Sequence, residues 1–290
     1  MSPHDWFIAP FAEFAFMQRA LLGAMLLSVS ACPVGVFLML RRMSLTGDAM
    51  AHAILPGAAV GFLLYGLALV PMTLGGLFAG MVVALASGVV ARVTVQKEDA
   101  SLAAFYLISL SLGVLMVSLR GSSVDLLHVL FGSALALNDD ALTLILLVAV
   151  VTFCSLCVFW RALVAECLDP LFLRSVSRLG SVAHFVFLSL VVINLVAGFQ
   201  ALGTLLSVGL MILPAAAARF WATRVTTMCA TAVGIGVSAS VSGLMLSYHA
   251  SLPAGPAIIL SAGVVYVLSL FVGSRGLLVS WFSATTHRTA

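Results

Sequence analysis

Apolar residues run along this chain in blocks of about twenty, and short clusters between the blocks carry most of its charge. Blocks of that length predict transmembrane helices near residues 16–40, 50–70, 72–91, 102–119, 141–160, 182–199, 201–218, 226–247 and 254–273. That is an all-α, polytopic membrane protein of about nine spans, with eight to ten compatible with the pattern. The stretch 123–136 (VDLLHVLFGSALAL) is apolar but short for a crossing. It predicts a re-entrant or half-spanning helix, allowed where protein or water satisfies its ends. The whole of 1–290 reads as a single transmembrane domain.

Charge placement sets an expected orientation. With Arg41 and Arg42 in the cytoplasm, nine alternating spans put Arg92, Lys97, Arg161, Arg174, Arg178, Arg219, Arg224, Arg275 and Arg288 on the same side. That gathers 11 of the 13 Lys and Arg residues, leaving Arg19 and Arg120 outside, and predicts N-terminus out and C-terminus in. The fragment Ile54-Leu55-Pro56-Gly57-Ala58-Ala59 echoes Ile212-Leu213-Pro214-Ala215-Ala216-Ala217 an odd number of crossings later. Its parity is that of an inverted repeat, and chance similarity accounts for it equally well. Each proline is expected to kink its helix and free a carbonyl one turn back.

Composition narrows the class further. Hydrophobic residues make up 63% of the chain and charged residues 8%, with a mean hydropathy of +1.23. So few solvated groups cannot cover a soluble protein of this size. A soluble enzyme, a disordered tail and a nucleic-acid-binding module are excluded, and the lipid bilayer is the expected surrounding. The net charge of +3 names no partner. Five cysteines are read as small packing residues, Cys154 and Cys157 included, although their CxxC spacing also fits redox or metal chemistry. The first residues lack the basic start of a signal peptide, so the first span is expected to stay in the mature protein.

Candidate chemistry concentrates at the second span. Asp48 and His52 are four apart and share one helix face. A carboxylate and an imidazole so placed can hold one divalent transition metal, with other helices completing the ligand set. Alternatively, Asp48 complements the helix N-terminus and His52 bonds to a neighbouring helix. Asp125 and His128, three apart, form a weaker pair near the outer surface. Asn138-Asp139-Asp140 reads as a helix cap, Asn194 and Gln200 as interhelical hydrogen-bonders, and His184 as an interfacial residue. Residues 168–180 predict a short cytoplasmic helix with Asp169 as N-cap, Pro170 in its first turn and Phe172, Leu173 and Val176 as an apolar stripe. That stripe suits insertion into a partner's groove or a position flat on the lipid surface.

Several of these segments carry a resemblance. RRMSLTGDAMAHAILPG resembles the signature of the permease subunits of zinc- and manganese-importing ABC transporters, in which a basic pair precedes SL-x-GDA-xx-H-x-(I/V)LPG. KEDASLAAFYLISLSLGVLMVSL, VDLLHVLFGSALAL, GTLLSVGLMILPAAAARF and GLMLSYHASLPAGPAIIL resemble later segments of that family, in order. The resemblance implies a type II ABC importer permease fold and a homodimer around a central pathway. It also implies cytoplasmic ATPase subunits, an extracytoplasmic metal-binding protein and a bacterial cytoplasmic (inner) membrane location. The family's metal ligands fall on Asp48 and His52, and Pro56, Gly57 and Pro214 are implied as kinks lining the pathway. Residues 168–180 resemble the family's coupling element, with Leu171 and Ser177 replacing its Glu and Gly. The family's acid near the ninth span falls on Ser251, with His249 as a possible substitute, so the metal identity stays open.

The expected function is permeation of Zn2+ or Mn2+, less readily iron, as transported substrate, with no permanently bound cofactor. The chain is not expected to be an enzyme: a P-loop needs Gly-Lys-Ser/Thr, and its single lysine, Lys97, is followed by Glu98. A gradient-driven secondary transporter using Asp48 and His52 as relay groups is the alternative. An intramembrane metalloenzyme would need HExxH or an equivalent, which the sequence lacks.

Overall fold

A computed structural model describes residues 11, 13–66, 68–119, 137–168 and 179–277. Among the described residues every regular element is helical: α1 Ala15–Leu40, α2 Thr46–Ala53, α3 Leu55–Tyr65, α4 Leu69–Val93, α5 Glu98–Leu119, α6 Asp139–Leu168, α7 Leu179–Leu202, α8 Thr204–Ala218, α9 Val225–Ala250 and α10 Ala254–Val272. Eight stretches among the described residues are long and apolar enough to cross a bilayer, with α2 and α3 together forming one of them.

Contacts between helix ends give the molecule two faces. At one face the end of α1 meets the end of α6 through Arg41 and Glu166, and the starts of α5 and α7 meet through Glu98 and His184. Phe220 after α8 accepts a hydrogen bond from the Arg275 amide after α10. At the other face Arg19 pairs with Asp139 at the start of α6, and the Phe14 ring packs at a tilt against Tyr248 near the end of α9. Followed through these ends, the described residues pass between the faces nine times, at the places where the blocks predict spans. One pass is shorter than expected: α8 has 15 residues, about 22 Å against the roughly 30 Å of a hydrocarbon core. It is set off from α7 by Gly203 alone, whose φ of 95° only glycine adopts readily.

Among the described basic residues, only Arg19 lies at the Phe14 face. Arg41, Arg42, Arg92, Lys97, Arg219, Arg224 and Arg275 lie at or beside helix ends of the opposite face, and Arg161 sits two turns inside α6 from it. We call this the basic face. The expected re-entrant or half-spanning helix at 123–136, with Asp125 and His128, falls outside the described residues, as do Asp169, Pro170, Phe172, Leu173 and Val176 of 168–180.

α1 and α7 form the centre. Leu27, Phe37, Phe187 and Leu195 are fully buried there, joined by Met50 and Ile54 from the second pass and Met211 from α8. Lipid is as apolar as these side chains, so close packing and interhelical hydrogen bonds must hold the bundle together. Asn194 Nδ2 donates to Thr152 Oγ1 at 2.8 Å, tying α7 to α6 as the sequence predicts for that asparagine. Asn138 likewise caps α6, its side chain accepting from the Ala141 amide at 2.8 Å. Large apolar side chains such as Phe78 and Val158 point outward, as a lipid-facing surface requires. Cys154 and Cys157 share that outer face: both are exposed on α6, which corrects their reading as core packing. An apolar sulfhydryl facing hydrocarbon needs no partner.

Candidate metal-contact site

The second pass is not one helix. It breaks at Ile54, so that α2 carries Thr46–Ala53 and Pro56 sits in the first turn of α3, where its missing N–H costs nothing. The Ala53 carbonyl beside the break accepts a hydrogen bond from Ser109 Oγ of α5 at 2.8 Å. The predicted kink is thus a helix interruption with a polar clamp from a neighbour. Pro214, the echo of Pro56, lies buried within an uninterrupted α8. The two echo segments run in opposite directions, and Gly47 of α2 abuts α8: a Cβ there would lie 3.3 Å from Ile212 Cδ1.

α2 buries most of its surface. Thr46, Gly47, Ala49, Met50, Ala51 and Ala53 are all covered, packed against α4, α5, α7 and α8. Asp48 and His52 alone leave it open, with side chains 67% and 43% exposed and His52 Nε2 3.9 Å from Asp48 Oδ1. An aspartate in a first helical turn also complements the backbone dipole, so its place is favourable before any ion arrives. The pair offers an oxygen and a nitrogen to one cation, on a side of α2 that none of the described residues covers. Two donors do not complete a coordination sphere. Among the described residues no group of three or more His, Cys, Asp or Glu could hold a metal.

His249 is not brought to the pair. It lies in the last turn of α9, edge-on to Tyr248 at 5.2 Å, at the Phe14 face, whereas α2 starts at the basic face. Ser251, where the family's acid falls, closes α9 in a left-handed conformation with φ 51°. Gly57 faces α4, where a Cβ would collide with the Gly75 carbonyl oxygen.

Residues 13–273 match the family model described as ABC 3 transport family. The chain belongs to the ABC 3 transport family. Over 269 residues it is 32% identical to the manganese import system permease protein ScaB of Streptococcus gordonii, covering 93% of this chain and 95% of that one. A probable iron transport system membrane protein of Haemophilus influenzae is 28% identical over 266 residues, covering 92% and 96%. The structure of PsaBC from Streptococcus pneumoniae in complex with Fab contains a chain that superposes with a TM-score of 0.81 at 31% identity, covering 93% of this chain and 96% of that one. The inward-facing conformation of a putative metal-chelate type ABC transporter shares the fold, with a TM-score of 0.68 at 13% identity over 87% and 84%.

In this ABC 3 family member the basic face holds polar contacts that the sequence alone does not single out. A cavity of about 360 Å³ is lined by Arg41, Arg42, Lys97, Glu98, Glu166 and His184, among others. Arg41 Nη2 donates to Glu166 Oε1 at 3.0 Å, and its guanidinium lies 4.6 Å from the ring centre of Phe187. His184 is buried rather than interfacial, with Nε2 3.1 Å from Glu98 Oε1. These partners stand 125 and 86 positions apart, which no local pattern joins. The available cue was the cost of an acid such as Glu166 beside an apolar run.

Proposed function

We propose that this chain is the permease subunit of an ABC importer for a divalent transition metal, with Mn2+ the first cargo to test and Zn2+ and iron after it. The Asp48–His52 pair carries the reading, being the two polar side chains that an otherwise buried helix leaves open. Carboxylate and imidazole together suit Mn2+, Zn2+ and Fe2+. The manganese-import names of the relatives support the order of testing. The ion is cargo, and each pair supplies half a ligand set. A second copy of the chain, facing the first across a pathway, supplies the other half.

Energy enters from separate ATPase subunits at the basic face, since this sequence lacks a P-loop. Residues 168–180 are the proposed docking segment, and the flanking ends of α6 and α7 lie at that face. By the positive-inside rule the basic face is cytoplasmic, so the Phe14 face looks outward and receives metal from an extracytoplasmic binding protein. Pro56, Gly57 and Pro214 are proposed to shape the walls of the pathway. The setting is the cytoplasmic membrane of a bacterium.

Vesicles holding the permease, its ATPase and its binding protein test this directly. ATP is expected to drive Mn2+ uptake, and His52→Ala to lower uptake about a hundredfold or more while the complex still assembles. Uptake driven by an ion gradient without ATP would transfer the chain to the secondary transporters. Normal uptake by His52→Ala would remove that residue from the pathway.

A further inference from the structure

We propose that Arg41 and Glu166 are positioning residues that carry motion from the cytoplasmic ends of α6 and α7 to α2, the helix bearing Asp48 and His52. The inference rests on the reading of the chain as an ATP-driven permease and assigns the route by which the partner's work reaches the cargo site.

Arg41 touches both helices that flank residues 168–180. Its guanidinium bonds Glu166, two residues before the end of α6, and stacks on Phe187 of α7. Any change in the separation or tilt of those two helix ends must therefore be felt at one side chain. That side chain sits on the short connection between α1 and α2, so its backbone leads to Asp48 within seven residues.

The pair is buried, with side-chain exposures of 9% for Arg41 and 1% for Glu166. Burying two charges removes hydration that their attraction restores only when the remaining polar atoms are also satisfied. Arg41 Nη1 has no hydrogen-bond partner among the described residues. Replacing a buried ion pair by an apolar pair of similar volume is often neutral or stabilising, so stability is weak ground for the charges. A charged contact differs from an apolar one in having a strict direction and a made or broken state, which suits a device that changes state.

The backbone beside Arg41 supplies the joint. α1 closes with the Arg42 amide bonded to the Met39 carbonyl and the Met43 amide bonded to the Leu38 carbonyl, the double closure that usually places glycine in a left-handed conformation. Here the residue is Arg42, with φ 59°, a region that side-chain-bearing residues seldom adopt. Such conformations persist where surrounding contacts over-determine them. The Arg41 contacts are the adjacent ones, so making or breaking the ion pair biases the joint from which α2 starts.

The test uses the complete complex in vesicles, with Mn2+ uptake and ATP hydrolysis read on the same sample for wild type, Glu166→Gln and Arg41→Lys. Glu166→Gln is expected to hydrolyse ATP within about twofold of wild type while taking up Mn2+ about tenfold more slowly, so that ATP spent per ion rises about tenfold. Arg41→Lys keeps the charge but loses the guanidinium placed over the Phe187 ring, and is expected to fall between the two. Parallel loss of both activities, or an unchanged ratio, overturns the proposal, because a purely structural role alters the amount of working complex and not its stoichiometry. Should Glu166→Gln fail to assemble, the ratio in Arg41→Lys decides by the same criterion. Wild-type vesicles that take up none of Mn2+, Zn2+ and iron with ATP would instead overturn the permease reading itself.

Discussion

At the residue scale, two small contacts govern what the second pass can do. Gly57 and Gly75 face each other so closely that a Cβ on either would strike the other's carbonyl oxygen. The colliding atom belongs to a backbone, which cannot rotate away as a side-chain end can. Gly57→Ala is therefore expected to destabilise the protein by about 1–3 kcal/mol through overpacking. A lowered midpoint of thermal unfolding in detergent checks this, and an unchanged midpoint would show that α3 and α4 have room to separate. Asp48 and His52 were legible in the sequence because the helical period puts residues four apart on one face. Arg41–Glu166 and Glu98–His184 were not, because each joins helices distant in the chain and depends on how the bundle packs.

At the element scale, the break at Ile54 separates a short helix that holds the candidate ligands from one that anchors to α4 through Gly57. Ser109 secures the break by donating to the Ala53 carbonyl from α5. Ser109→Ala leaves that carbonyl short of a partner where water does not reach, at a cost of about 1 kcal/mol. Mn2+ uptake is expected to fall more than thermal stability does, as measured in the same vesicles and detergent extracts. A stability loss with full uptake would make the clamp a packing contact only. The helix positions themselves were largely legible, since length and hydropathy fix where a chain can cross a bilayer. α6 was not: it was expected near 141–160 and runs Asp139–Leu168. Arg161 and Glu166 lie beyond the expected span, yet α6 continues through both as a helix, and Glu166 finds its counter-charge on Arg41.

For the whole molecule, the nine passes and the gathering of basic residues at one face lead to a labelling experiment. In a cysteine-free background, Ser274→Cys near the basic face is expected to react with a membrane-impermeant thiol reagent only from the cytoplasm. His249→Cys at the opposite face is expected to react only from outside. The reverse pattern would invert the topology and with it the side on which an ATPase could dock. The orientation followed from charge alone in the sequence, whereas the two-face arrangement needed the end contacts such as Phe14 with Tyr248 and Arg41 with Glu166. The second half of the proposed ligand set lies on another copy of the chain, so a single sequence does not display it as a spacing.

The brevity of α2 has one more consequence. Eight residues fall well short of the roughly 12–15 that a helix needs to persist on its own in water, and Ile54, itself in a helical conformation, joins α2 to α3 at one end only. Its order is lent by α4, α5, α7 and α8, the helices packed on its covered side. Asp48 and His52 stand one turn apart only while those neighbours stay in place. If the bundle opens enough to loosen their grip, the two donors lose their common geometry, and under the proposed function an ion held between them would be released without a competing ligand to displace it.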